Sequence, residues 1–424
     1  MAEGGYSEFL ETFTPDLGPY EELYKHFHSH PELSLQESET AKKVVQHLSN
    51  LKVYEVHPNI GGHGVAAVFR NGPGKTILLR ADMDALPVEE KTGLPYASKV
   101  IMRDVADGRK KPVMHACGHD MHVTCLLASA EILANSRDKW SGTLVLVFQP
   151  NEERAAGADA MVKGGLYQRV PIPDLCMGQH IMPLRAGAVN MRTGTMMAAS
   201  NSMKITLYGR GGHGSMPDKS IDPVVMAANV VVRLQTIVSR EVDPNDMAVV
   251  SVGSLQSGQT ENVIPETAEI RLNVRTIKDT TRSRVLASIK RIVKAECEAS
   301  RAPREPEFED TTAFPLTVND ANLKQGVIDH FRGHFGKAFD PDCPRSGGSE
   351  DFTVLGTSQN RPCLFWFVGM VDEELWDRAV ANETVYEDIP VNHSSYFAPV
   401  VQPTMRTGIH ALTLGAMSFL GKGP

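Results

Sequence analysis

Hydrophobic positions along this chain follow two different rhythms. In the first, short unbroken apolar runs recur at 76–80, 143–148, 174–177 and 363–368, typified by Ile77-Leu78-Leu79. Such runs suit strands buried on both faces. Helical spacing separates them over 121–135, 155–166, 320–336 and 402–419, and a helix, turn and second helix precede them over 19–49. This alternation predicts an α/β layer on a mainly parallel mixed sheet. In the second rhythm, Ala268, Ile270, Leu272 and Val274 alternate with Glu269, Arg271, Asn273 and Arg275, as in a strand with one face buried. Met203, Ile205 and Leu207 repeat that pattern. Helices at 222–239 and 281–298 and strands near 247–255 and 304–310 complete a β-α-β-β-α-β order, that of a ferredoxin-like α+β sandwich. The chain therefore divides into a first α/β part (1–191), an inserted domain (192–310) and a second α/β part (311–424).

Composition narrows the function classes. The chain has 424 residues, 42% hydrophobic and 22% charged, which is ordinary for a globular protein with large cores. A net charge of −8 gives no electrostatic case for nucleic acid or an anionic membrane. No apolar run approaches the ~18 residues that a membrane span needs. The first 17 residues carry acidic but no basic side chains, unlike a signal or transit peptide. Six cysteines without framework spacing suit a reducing compartment, so the expected location is the cytoplasm.

Chemistry concentrates at the ends of the buried strands. The run at 76–80 leads into Ala81-Asp82-Met83-Asp84, the run at 143–148 into Gln149-Pro150-Asn151-Glu152-Glu153, and the run at 174–177 into Gly178-Gln179-His180. Ligands gather outside the carboxyl ends of strands in such sheets. Met114-His115-Ala116-Cys117-Gly118-His119-Asp120 stands just before a predicted helix, with Asp120 near its N-cap. A Cys-x-His alone is equally a buried thiol beside structural histidines. With the acidic strand ends, however, Cys117, His119, Glu153, His180 and His393 form an inventory suited to two metals. Thiolate softness leaves Mn, Co, Ni and Zn in play. Asp82 and Asp84 suit the orientation of histidine ligands. Glu152 and Glu153 cannot point the same way from an extended chain, so one can bind metal while its neighbour carries protons. Asn71-Gly72-Pro73-Gly74-Lys75-Thr76 precedes a strand and lacks the first Walker A glycine, so it reads as a turn.

Taken together, the ordered motifs resemble the M20 metallopeptidases. They are Arg80-Ala81-Asp82-Met83-Asp84-Ala85-Leu86-Pro87, His115-Ala116-Cys117-Gly118-His119-Asp120, Phe148-Gln149-Pro150-Asn151-Glu152-Glu153, Arg210-Gly211-Gly212-His213-Gly214-Ser215, Asn262-Val263-Ile264-Pro265, Gly348-Ser349-Glu350-Asp351-Phe352 and His393-Ser394. The branch they resemble holds hippurate hydrolases, auxin-conjugate hydrolases and N-acyl-amino-acid deacylases. The resemblance implies two divalent ions, Zn or Mn first and Co or Ni next, on Cys117, His119, Glu153, His180 and His393. It implies Glu152 as general base, Asp84 as orienter of a ligand, and His213 and Asn262 as oxyanion donors. Arg275 would grip a substrate carboxylate, and Gly348 would line the pocket. It also implies a homodimer through the inserted domain, with His213 serving its own site or its partner's. Ser395, Arg154 and Asn151 depart from the family pattern, and Arg154 brings charge to the mouth of the site.

The expected activity is hydrolysis of the amide bond of N-acyl amino acids bearing a free carboxylate, the acyl group aromatic or not. The alternative is a carboxypeptidase or dipeptidase acting on short peptides. A non-catalytic binder would be expected to lack Glu152 or a ligand, and a serine hydrolase needs a Gly-x-Ser-x-Gly string absent from this sequence.

Overall fold

The computed structural model describes residues 5–422, which form two compact units. The first is drawn from three stretches of chain, ending at Met196, spanning Val318–Pro344, and resuming at Asp351. Its frame is an eight-stranded sheet. Four parallel strands form the middle, in the order Gly142–Gln149, Thr76–Asp82, Leu175–Arg185 and Cys363–Val371. The hairpin Glu55–Ile60 and Gly64–Asn71 adds antiparallel to one side, and the short strands Val189–Asn190 and Phe339–Asp340 close the other. Ile77, Leu78, Leu79, Leu144, Leu146 and Leu364 are all fully buried, as their unbroken apolar runs require.

Helix His119–Asn135 is buried along almost its whole length, and helix Thr404–Leu420 packs beside it. Their polar residues are matched: Ser129 Oγ lies 2.7 Å from Thr413 Oγ1 and donates to the Ile409 carbonyl at 3.0 Å. Buried hydroxyls paired in this way avoid an uncompensated desolvation cost. No helix among the described residues is long and apolar enough to cross a membrane. All six cysteines are unpaired and buried.

The second unit comprises Met197–Thr317 together with Arg345–Glu350. Its four strands are antiparallel throughout, in the order Ala248–Ser257, Thr267–Thr276, Ala199–Tyr208 and Glu307–Phe314. Met203, Ile205, Ile270 and Leu272 meet Val230, Leu234, Val285 and Ile289 from helices Pro223–Glu241 and Asp279–Ala299 in one core. The first of these helices starts cleanly, with Asp222 accepting from the Val224 amide at 2.8 Å and proline at its first position.

Candidate metal and hydrolytic centre

Register places the chemistry. Strand Thr76–Asp82 pairs Asp82 with Gln149 on one side, while its last pairing on the other joins Arg80 to Gly178. His180, two residues on, therefore stands level with Asp82. Sequence reading puts His180 just beyond a strand end. In the structure the strand continues to Arg185, with His180 paired to Phe367. Parallel pairing with Cys363–Val371 sustains it past the point where the apolar run stops.

The thiol and first imidazole sit at a helix start. Gly118, not Asp120, is the N-cap, and His119 is already the first helical residue. Gly118 has φ 84°, and a Cβ there would meet Ile181 Cβ at 3.2 Å, so a side chain would be strained in conformation and crowded in space. His119 Nδ1 donates to the Asp84 carbonyl at 2.9 Å. That leaves Nε2 facing inward, fully buried and without a hydrogen bond. His180 Nδ1 likewise donates to the Ile181 carbonyl at 2.7 Å, leaving Nε2 3.4 Å from Cys117 Sγ. His393 adopts φ 71°, its amide held by the Ala116 carbonyl at 2.7 Å, and its Nε2 lies 3.5 Å from Glu153 Oε1. Glu153 Oε1 also makes no hydrogen bond.

These donors fall into two groups that share the thiol, Cys117 with His119 and His180, and Cys117 with Glu153 and His393. Within each group the ligand atoms lie within 4.8 Å of one another. Buried nitrogen and carboxylate oxygen left without partners are costly unless something fills the gap between them. A divalent cation fits that gap. The electrostatics agree. Burial opposes a charged His119, yet the Asp82 carboxylate and then the Asp84 side chain hold its imidazole well above the usual histidine range. Contacts with Cys117 and Glu153 push His393 up to about 10. Burial, reinforced by His122, keeps His180 well below the usual range and so neutral, the form in which an imidazole is able to ligate.

Glu152 and Glu153 do not lie on extended chain. They occupy a single 3₁₀ turn, Glu152–Arg154, between two left-handed residues, Asn151 at φ 57° and Ala155 at φ 56°. At three residues per turn, neighbouring side chains diverge by about 120°, so the conclusion that they point apart stands on a different backbone. Asn151 is suited to this position, because asparagine tolerates the left-handed region better than most residues. Asp84 does more than face a histidine. Its Oδ1 accepts the Glu152 amide and its Oδ2 the Glu153 amide, each at 3.1 Å.

Sequence reading passed over several residues here. His122 Nδ1 donates to Asp82 Oδ1 at 2.5 Å, and its Nε2 accepts the Ile181 amide at 2.8 Å. Its i,i+3 spacing from His119 on one helix face was the available signal. Asn392 Nδ2 reaches the Ile181 carbonyl at 3.2 Å and Cys117 Sγ at 3.7 Å. Arg154 presents less charge than its position suggests, because it pairs with Asp104 at 2.7 Å.

In the second unit, Arg275 Nε donates to Asn273 Oδ1 at 3.1 Å, and Nη1 donates to the Gly347 carbonyl at 2.8 Å and Ser349 Oγ at 3.2 Å. No carboxylate among the described residues pairs with it, and burial lowers its pKa. It is a half-buried guanidinium fixed in direction by neutral groups only. Gly348 belongs to the same hexapeptide, its carbonyl accepting the Ala198 amide at 3.0 Å. His213 lies on a short strand opposite Val263, and Asn262 is in the turn just before that partner strand, its carbonyl accepting the Gly214 amide at 2.8 Å. The Ser215 amide donates to His213 Nδ1 at 3.1 Å, so the neutral ring carries its proton on Nε2 and keeps an outward donor.

A model of peptidase family M20/M25/M40 matches residues 78–400. The hippurate hydrolase of Campylobacter jejuni is 42% identical over 305 residues, covering 72% of this chain and 76% of its own length. Thermostable carboxypeptidase 2 of Saccharolobus solfataricus is 33% identical over 95% of both chains. Among solved structures, a dinuclear metal binding peptidase of the M20 family from Bacillus subtilis superposes with a TM-score of 0.74 at 27% identity, over 96% of this chain and 99% of its own.

Proposed function

The chain belongs to peptidase family M20/M25/M40, and from that premise we propose a metal-dependent hydrolase that cleaves the amide bond of N-acyl amino acids with a free carboxylate. The observation that carries this reading is the pair of buried atoms that make no hydrogen bond, His119 Nε2 and Glu153 Oε1, inside a ring of thiol, imidazole and carboxylate donors. Cys117, His119, Glu153, His180 and His393 would hold two divalent ions, Zn or Mn first, Co or Ni next. Bound ions of this kind supply Lewis acidity at the scissile carbonyl and at the attacking water.

The remaining steps fall to side chains. Glu152 takes the proton of the attacking water and returns it to the leaving amine. Asp84 holds the turn that aims Glu152. His213 donates from Nε2 to the oxygen that gains charge, with Asn262 beside it as a second donor. Arg275 takes the substrate carboxylate as a fork, and Gly348 keeps the neighbouring backbone open. We read the inserted region, expected at 192–310, as a ferredoxin-like domain through which the chain forms a homodimer. The unpaired, buried thiols support a cytoplasmic location.

A carboxypeptidase or dipeptidase is the second reading, favoured by the carboxypeptidase relative and served equally by Arg275. A panel of N-acyl amino acids and dipeptides, assayed with and without chelator, separates the two. Turnover that survives complete metal removal would end both.

Two further results are expected. Cys117 is common to both donor groups, so Cys117→Ala should lower metal stoichiometry and activity together. Unchanged metal content with full turnover would remove Cys117 from the centre. Metal affinity of the unaltered protein should also fall in acid, as imidazole and thiolate ligands take up protons. Arg275→Ala should weaken kcat/KM on free acids by roughly ten- to a hundred-fold, since a charge-assisted hydrogen bond is worth about 1.5–3 kcal/mol. The corresponding amides or esters should lose far less, and an equal loss on both would rule out the carboxylate fork.

A further inference from the structure

The turn that carries Glu152 and Glu153 is braced from behind by a part of the chain with no other evident task. Segment 30–37 joins two N-terminal helices, Gly18–Ser29 and Ser38–Asn50. It is firmly built. Glu32 accepts the Glu39 amide at 3.0 Å and the Thr40 amide at 2.8 Å, and its carbonyl accepts the Ala85 amide at 2.8 Å. Ser34 Oγ donates to Asp84 Oδ2 at 2.6 Å. Glu37, a carboxylate with no exposed surface, accepts the Leu35 amide at 2.9 Å and the Asn151 amide at 2.8 Å through a single oxygen, Oε1.

Three consecutive backbone amides therefore end on two buried carboxylates. Asn151 is held by Glu37, and Glu152 and Glu153 are held by Asp84. Asn151 opens the turn, and with φ 57° in the left-handed region its backbone sets the direction in which the turn leaves the strand. A change of φ there would rotate the whole 3₁₀ turn and both carboxylates with it. That amide and its partner are both buried, so bulk water does not compete for the bond.

We propose that Glu37 is a positioning residue of the reaction, which by holding the Asn151 amide sets the directions in which Glu152 and Glu153 leave the turn. The proposal rests on the assignment of Glu152 as base and Glu153 as ligand. It separates Glu37 from Asp84, which holds the two amides that follow.

The test compares Glu37→Gln, Glu37→Ala and Glu152→Gln in the full chain, using an N-acyl amino acid that the unaltered protein hydrolyses. Glu37→Gln keeps the Oε1 acceptor and should hold kcat within about three-fold. Glu37→Ala should lose kcat by about ten- to a hundred-fold at nearly constant KM, the scale expected when a reacting group is displaced by up to ~1 Å. In chelator-treated protein, amide exchange in the peptide spanning 150–155 should accelerate at least about ten-fold in Glu37→Ala, while helix Ser38–Asn50 keeps its protection. Unchanged kcat or unchanged exchange at 150–155 in Glu37→Ala would overturn the proposal. So would an equal collapse of both Glu37 variants with exchange rising across Ser38–Asn50, which would make Glu37 a prop for the N-terminal segment. If Glu152→Gln keeps its kcat, the base assignment falls and the brace loses its purpose. If Glu152→Gln is inactive while Glu37→Ala is normal in rate and exchange, only the brace fails.

Discussion

Glu152→Gln is expected to lower kcat by about 10²–10⁴-fold, the usual contribution of one general acid–base side chain, while metal content and KM stay near those of the unaltered protein. Glutamine keeps the side-chain length and the backbone amide that Asp84 holds at 3.1 Å. It loses only the ability to accept the proton of water. Glu153→Gln should fail differently. Its partnerless Oε1 faces His393 Nε2 at 3.5 Å and His119 Nε2 at 3.9 Å, so its loss should appear as lower metal occupancy. Metal analysis beside single-turnover rates distinguishes the two variants. Metal loss in Glu152→Gln with retention in Glu153→Gln would reverse the assignment. Retention of metal and turnover in both would remove the turn from the chemistry.

Arg80→Met should cost about 3–5 kcal/mol of folding stability, the range for breaking a buried ion-pair network from one side. Arg80 has 1% of its surface exposed, deep in the sheet. It donates to Asp82 Oδ2 at 2.8 Å and Gln149 Oε1 at 2.9 Å, and lies 3.4 Å from Asp351 Oδ1. Burial works to raise the Asp82 carboxyl, and Arg80's charge, followed by the neighbouring His119 and His122, holds it well below the usual range. Methionine fills much of the volume but leaves Asp82 and Asp351 without the guanidinium. Urea unfolding of the two proteins measures the difference. A loss under about 1 kcal/mol, the level of an exposed pair, would mean the network carries little of the fold. Because Asp82 also bonds His122, which holds the backbone beside His180, the variant should weaken metal retention as well.

Local pattern was enough to read much of the architecture. Strand Thr76–Asp82 was legible because a run such as Ile77-Leu78-Leu79 can be satisfied only by burial on both sides. The strand at Thr267–Thr276 was legible because its alternation has period two. Helix Asp279–Ala299 was legible from the stripe of Val285, Ile289, Ile292 and Val293. The chemistry was legible as far as residue type goes, because thiol, imidazole and carboxylate groups at the ends of buried strands are expensive to place without use.

What escaped the sequence depends on partners far along the chain. The strand through His180 outlasts its apolar run because Cys363–Val371 hydrogen-bonds to it, and hydropathy carries no record of that pairing. The 3₁₀ turn at Glu152 is set by Asp84, 68 residues away, and by Glu37, 114 residues from Asn151. Arg345–Glu350 joins the second unit through the Ala198 amide and Arg275, although the chain on both sides of it belongs to the first. Periodicity reports which face of an element must be buried, because that is a property of neighbouring residues and the solvent. Which carboxylate closes on which amide is fixed only when distant segments meet, and so the sequence offers the candidate reactive side chains while the tertiary structure alone decides what holds and aims them.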